Sequence, residues 1–191
     1  MKRAPLLSTT TRLSLAGVTL IELLVTMVVA GILLATAIPA FNNFVLNDRD
    51  ASQINSLVYS LSYARSESVK RNTAVGVEVC PSSNSTTCNP ASPWSSGWIV
   101  LDLDPTDLSP VLQAVPAFAG SNGVTAGGAA ATGIVFNSSG ATQGSSSLTI
   151  KVCDTRGATY ARDVEVTSIG TTQASQKPGF QVNGTTPLVC P

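Results

Sequence analysis

The chain has no histidine. That removes the side chain most often used as a general base and most often used to hold a metal. Serine is abundant, yet no Gly-x-Ser-x-Gly elbow occurs and no recognisable motif sets a Lys beside a Ser. Hydrolytic chemistry is therefore not expected, no catalytic residue is assigned and no cofactor is called for. No Cys-x-x-Cys spacing occurs either, which argues against a zinc site. Positive charge is sparse, with 11 Lys and Arg against 11 Asp and Glu. Beyond Lys70-Arg71 nothing clusters it, so sequence-independent binding of nucleic acid is not expected.

The longest absence is of charge itself. Residues 23–47 carry no charged side chain, a run of 25. At about 1.5 Å per helical residue, that is enough to cross the core of a bilayer. One acid, Glu22, stands at the start of the run, five residues after Gly17. Lys2, Arg3 and Arg12 precede it without any acid. This basic flank predicts a cytoplasmic N-terminus. A carboxylate near bilayer depth costs on the order of 3 kcal/mol unless it finds a partner. An α-amino group is one such partner, and the dipole of a helix N-terminus is another source of support. A secretory signal is the competing reading of this segment. Ala35-Thr36-Ala37 after residues 23–34 fits a small-x-small site and would release a chain starting at Ile38.

Beyond the apolar run, Phe41, Phe44, Val45, Ala51, Ile54, Leu57, Val58, Leu61 and Ala64 recur at spacings of three and four. This is the stripe of an amphipathic helix. Asn47, Asp48, Asp50, Gln53, Ser60 and Ser66 occupy the opposite side. The pattern predicts one helix from about Leu20 to about Arg71, with Pro39 as a kink and Gly31 as a weak point. Arg65, Glu67, Lys70 and Arg71 are expected to form a solvated charged face at its end, with the basic residues suiting the dipole.

After Asn72 the period changes to two. Strands are expected at residues 74–80, around Trp98 and Val100, and at 111–118, 133–137, 148–154 and 162–169, with a short one near 187–190. Residues 119–132 and 138–147 are rich in Gly, Ala, Ser and Thr and are expected to be mobile exposed loops. A long helix followed by many short strands predicts an α+β protein, with the helix packed on antiparallel sheets.

Cys80, Cys88, Cys153 and Cys190 form an even set beyond the apolar run, which in an oxidising compartment reads as two disulfides. Three pairings are possible. Cys80 with Cys88 closes a short Ser/Asn-rich loop, and Cys153 with Cys190 ties down a chain end; this pairing is the favoured one. Asp102, Asp104 and Asp107 could gather a Ca²⁺, but the Gly and the later Glu of a calcium loop are missing, so an acidic turn is expected. Asn84-Ser-Thr, Asn137-Ser-Ser and Asn183-Gly-Thr fit glycosylation acceptors and read as polar loops.

Gly17-Val-Thr-Leu-Ile-Glu22, set between a short basic leader and a long apolar run, resembles the processing site of type IV prepilins and type II secretion pseudopilins. The resemblance implies a leader at residues 1–17, removed by a prepilin peptidase between Gly17 and Val18, with N-methylation of Val18. Val18 departs from the family, which most often has Phe there. The resemblance further implies a transmembrane and assembly helix at 18–46, its amphipathic continuation at 47–72 and a periplasmic head at 73–191. Glu22 would pair with the N-terminal amine of a neighbouring subunit, and the helix between Gly31 and Pro39 could unwind in a filament. Two further stretches are similar to the FimT, FimU and GspH group of minor pilins: Ala64-Arg-Ser-Glu67 with Lys70-Arg71, and Trp94-Ser-Ser-Gly-Trp98-Ile-Val. They imply a minor subunit of a type IV pilus, or alternatively of a type II secretion pseudopilus. The implied partners are other pilins, an inner-membrane assembly platform and membrane lipid. Some FimT-like pilins capture DNA through basic residues near the C-terminus. Residues 173–191 hold only Lys177, so DNA is not an expected partner.

Overall fold

The structure, a computed structural model, describes residues 17–190 apart from 73, 119, 121 and 145. Of the expected leader at residues 1–17, all but Gly17 lies outside the described residues. The chain divides into two compact units with the boundary between Asn43 and Phe44.

The one α-helix among the described residues, α1, runs Leu20–Arg71. Its start is capped by Thr19, three residues before Glu22. The Glu22 amide donates to Thr19 Oγ1 at 3.3 Å, and the Leu23 amide donates to the Thr19 carbonyl at 3.1 Å. At the other end Lys70 and Arg71 occupy the last turn. Asn72 then adopts the left-handed conformation at φ 52°, with its amide on the Ser68 carbonyl at 3.1 Å. Asn is one of the few residues that tolerates this C-terminal position.

The unit beginning at Phe44 holds the rest of α1 and eight strands in two antiparallel four-stranded sheets. The first comprises β1 (Val77–Pro81), β2 (Gly97–Asp102), β3 (Val111–Pro116) and β5 (Ile134–Phe136), ordered β3-β2-β1-β5. The second comprises β4 (Gly123–Ala126), β6 (Leu148–Cys153), β7 (Arg162–Val166) and β8 (Thr172–Ala174), ordered β4-β6-β7-β8. Opposed residues on neighbouring strands share a face. Val79 pairs with Val100 and Ile134, and Ile150 pairs with Val164, so each sheet turns a row of branched side chains inward. These rows meet Ile54, Leu57, Leu61 and Ala64 of α1 in one core. Leu57 and Leu61 are fully buried. Truncating such a leucine costs about 2–5 kcal/mol, much of a small domain's stability.

The two tryptophans lie in this core. Trp98 meets Phe118 edge-on at 5.1 Å, and the Trp94 indole N–H donates to the Ala130 carbonyl at 3.1 Å. Gly97, between them, has φ 105°. A Cβ there would stand 2.5 Å from the Val115 carbonyl oxygen, so the close approach of β2 to β3 requires glycine.

Several expectations need correction. Residues 119–132 are not a loose connector: they contain β4 and a turn of 3₁₀ helix, Gly128–Ala131. Val124 there buries itself opposite Val152, and Ala130 is fully enclosed. The small residues let the backbone come close to the core rather than leaving it. Residues 187–190 form no strand; Pro187 makes one isolated bridge to Phe180. β8, Thr172–Ala174, has no strong alternation and was not anticipated. The side of α1 opposite the apolar stripe is not all solvated, since Asp50, Gln53 and Ser60 are buried.

Arg156 explains how two of these buried polar groups are accommodated. Its guanidinium donates to Asp154 Oδ2 at 2.5 Å, Asp50 Oδ2 at 3.1 Å and Asn47 Oδ1 at 2.8 Å, and it covers the Tyr160 ring at 4.1 Å. Asn122 Nδ2 adds bonds to Asp50 Oδ1 at 2.6 Å and Gln53 Oε1 at 2.7 Å. Burial pushes the Asp50 carboxyl above its ordinary range, and the charge of Asp154 pushes it further, against the opposing pull of Asn122 and Arg156. The cluster pins the β6–β7 connection to α1. Removing Arg156 leaves two buried carboxylates facing each other, which costs about 3–5 kcal/mol. Chemical denaturation of the full chain in detergent should show that loss for Arg156→Ala. Arg156→Lys should recover only part of it, because an ammonium cannot reproduce the fork.

Candidate assembly site

The apolar segment has a simple construction. Every described side chain from residue 17 to 38 is exposed, including Val18, Leu20, Ile21, Met27, Ile32 and Leu33. A helix exposing branched and aliphatic side chains on all sides has no aqueous resting place. Its polar atoms are turned inward along the backbone: Thr26 Oγ1 donates to the Leu23 carbonyl at 2.8 Å and Thr36 Oγ1 to the Leu33 carbonyl at 3.0 Å. Such back-bonding removes hydroxyls from an apolar solvent at little cost. By length and composition this is the one helix, among the described residues, able to cross a membrane.

Gly17, Val18 and Glu22 fall together at the head of this helix, with Glu22 in its first turn. Gly31 and Pro39 both lie within α1, and a side chain added at Gly31 would meet nothing within 4 Å. Lys177, the lone base of the C-terminal stretch, lies over the Phe180 ring at 3.8 Å. The cysteines are joined as Cys80 with Cys88 and Cys153 with Cys190, with Cα–Cα distances of 5.5 and 6.1 Å. The second bond, buried beside Ala161 and Leu188, fastens the C-terminal stretch to the end of β6.

The charged end of α1 differs from the solvated face that the sequence suggested. Arg65 does not pair with Glu67. Its Nε donates to the Gly140 carbonyl at 3.1 Å and its Nη2 to the Ile169 carbonyl at 3.2 Å, so it ties two loops to the helix. Glu67 is mostly buried and accepts from Lys70 and Arg71, each at 3.2 Å. Arg71 also reaches Asp102 Oδ2 at 2.6 Å and Asp107 Oδ2 at 3.0 Å. Two members of the acidic Asp102/Asp104/Asp107 turn are thus engaged by a guanidinium. The third, Asp104, accepts from the Thr106 amide and hydroxyl at 2.9 and 2.7 Å. The sequence offered one clue to this hub, the placement of Arg71 in the last turn, but no clue to which loops it would hold.

Two glutamates of the head have opposite responses to pH. Burial raises Glu67, but hydrogen bonds from Arg71 and Lys70 outweigh it and hold the carboxyl below its ordinary value of 4.5. Glu78 has no such partner, and burial holds it above 4.5. A lowered carboxyl contributes stability that is complete above 4.5 and is lost as pH falls through the folded value. A raised one does the reverse: its folded form is favoured below 4.5 and loses ground as pH rises through the folded value. Glu67→Gln should therefore lower the melting temperature at pH 7 and flatten its decline in acid. Glu78→Gln should raise the melting temperature at pH 7 and leave it unchanged in acid. Thermal scans from pH 3 to 8 read both.

The family model described as Type II transport protein GspH matches residues 53–170. Two crystal forms of the type IV minor pilin FimU from Pseudomonas aeruginosa strain PAO1 share the fold. One gives a TM-score of 0.53 at 20% identity, covering 70% of this chain and 98% of that one; the other gives 0.51 at 18%, covering 65% and 90%. No curated protein matches the chain. A long N-terminal helix, an antiparallel two-sheet head and a family match across more than half of the sequence lead to one conclusion: the chain belongs to the GspH family of pilin-fold subunits.

Proposed function

We propose that the chain is a minor subunit of a type IV pilus, acting in the initiating or tip complex rather than as an enzyme. The exposed apolar half of α1 carries this reading, because it needs lipid before assembly and other helices after it. A prepilin peptidase would cut after Gly17 and methylate Val18. The helix would rest in the inner membrane with its N-terminus cytoplasmic and its head periplasmic. An assembly platform would then extract it. Glu22 would enter a bundle of pilin helices by pairing with the terminal amine of a neighbour, which offsets the cost of its burial. The likeness to a type IV minor pilin and the disulfide-stapled head support a subunit that ends up outside the membrane.

A second reading is a minor pseudopilin of a type II secretion system. It is favoured by one observation, the description of the family model itself. The parts and the processing are the same in both. The readings separate on where the mature chain is found, in sheared surface fibres or in a short periplasmic assembly needed for secretion.

Intact-mass and terminal-peptide analysis of the mature chain should give a start at methylated Val18. A start at Ile38 would instead indicate an ordinary signal peptide and overturn the reading. With processing intact, Glu22→Ala should reduce recovery of the chain in sheared fibres at least tenfold while leaving its membrane level unchanged. Equal recovery would remove Glu22 from the mechanism.

A further inference from the structure

On the first sheet, Glu78 stands between Leu101 on β2 and Val135 on β5, and shares its face with Cys80 opposite Ile99. A carboxylate in this apolar row is an anomaly. No ion pair to it is formed among the described residues, and burial is the one influence moving its pKa. What stands beside it is sulfur: Cys88 Sγ is 3.6 Å from Glu78 Oε2. Ligand atoms of Glu78, Cys80 and Cys88 all lie within 4.8 Å of one another. Gly133 leaves this space open, since a Cβ there would meet the Glu78 carboxylate and come within 3.3 Å of Cys80 Cβ.

The loop joining the two cysteines holds its shape by more than the disulfide. Ser82 Oγ donates to the Thr87 carbonyl at 2.8 Å, and the Thr86 and Thr87 amides each donate to Asn84 Oδ1 at 3.0 Å. The Ser82 amide bonds the Gly97 carbonyl at 3.0 Å and the Asn89 amide bonds the Pro81 carbonyl at 2.8 Å, on either side of Cys88. Opening the sulfur–sulfur bond therefore leaves both thiols facing Glu78. A tetrahedral zinc site with Zn–S distances of about 2.3 Å needs its sulfurs roughly 3.7 Å apart, within reach of side-chain rotation alone. Two thiolates and one carboxylate, with water in the fourth position, are a donor set for a soft or borderline divalent cation.

The geometry points to a redox-gated metal site: when the Cys80–Cys88 bond is reduced, Cys80, Cys88 and Glu78 bind Zn²⁺ or Cd²⁺, and metal and disulfide are alternative states of one loop. A water-soluble phosphine supplies the electrons. Phosphorus attacks one sulfur, the other departs as thiolate, and water delivers the oxygen of the phosphine oxide and the two thiol protons. Cation binding then releases those protons to the buffer. The positive ion would supply what the disulfide state lacks, a counter-charge for Glu78.

The test uses the full chain in detergent, reduced with the phosphine, desalted without oxygen and titrated with Cd²⁺. The ultraviolet thiolate-to-cadmium charge-transfer band should rise to one equivalent with the intensity of two thiolates. Unreduced protein should show no band. Cys80→Ser/Cys88→Ser, which keeps the thiols of Cys153 and Cys190, should lose the one-equivalent saturating band. Glu78→Gln, with its fold checked by circular dichroism, should weaken the affinity at least ~10-fold, the lower end of what even an outer-shell partner contributes. The proposal is overturned if reduced wild type gives no saturating band, if the double serine variant gives the same one, or if Glu78→Gln binds as tightly as wild type.

Discussion

The head depends on one packing constraint: a stripe of α1 must be enclosed by two separate sheets. Ile54, Leu57, Leu61 and Ala64 repeat at helical spacing and meet inward rows from both sheets in a single core. Hydrophobic burial is non-directional, so it does not fix where along the helix each sheet sits. The alternation within strands sets the faces, and a slip of one residue would turn every inward Val outward.

Direction and register come from arginine. Arg65, Arg71 and Arg156 each reach groups far away in sequence: the Gly140 and Ile169 carbonyls, Asp102 and Asp107, and Asp50 and Asn47. A guanidinium presents donors in a planar fork, so one side chain can satisfy several acceptors in fixed geometry. Two of these residues engage loops at the end of α1 and the third engages its residues near 47–50. The ion pairs themselves contribute less than the core, because exposed pairs are screened and buried ones lose hydration. Their effect is to make any other placement of the loops leave buried carboxylates or carbonyls unpaired.

The helix and most strands were legible because their periods are strong. Spacings of three recur from Ala51 to Ala64, and Val75-x-Val77-x-Val79 alternates. The failures have a common physical cause. Asp50, Gln53 and Ser60 look like a solvent face because each is polar, but the long-range partners Asn122 and Arg156 make the burial of Asp50 and Gln53 tolerable. Residues 119–132 look like a linker because they are small, yet small side chains are what a backbone needs to lie close against Trp94 and β6. β8 is three residues long and has too few positions to show a period. In the apolar segment, Glu22 stood out from the surrounding lack of charge, whereas Gly17 was singled out by resemblance to a prepilin processing site. The Thr19 cap was equally readable, as Thr-x-x-Glu, and Glu22 sits in the first turn of the helix that Thr19 caps.

That last point sharpens what Glu22 requires. It is the only charged side chain between Arg12 and Asp48. Helix neighbours can form ion pairs only three or four residues away, and the residues at those distances are Val18, Thr19, Val25 and Thr26. No side chain of its own segment can therefore neutralise it. The helix dipole favours an acid in the first turn by about 0.3–1 kcal/mol at exposed positions. That is less than the penalty of about 3 kcal/mol for a carboxylate at bilayer depth. Two outcomes satisfy this balance: the carboxyl stays at the wet interface, or it descends only together with a positive charge brought by another molecule. In the proposed filament of helices with free amino termini, a neighbouring subunit would supply that charge. An isolated helix in lipid does not. Under the proposed function, the same residue would hold a lone subunit at the membrane surface and favour its entry into a bundle.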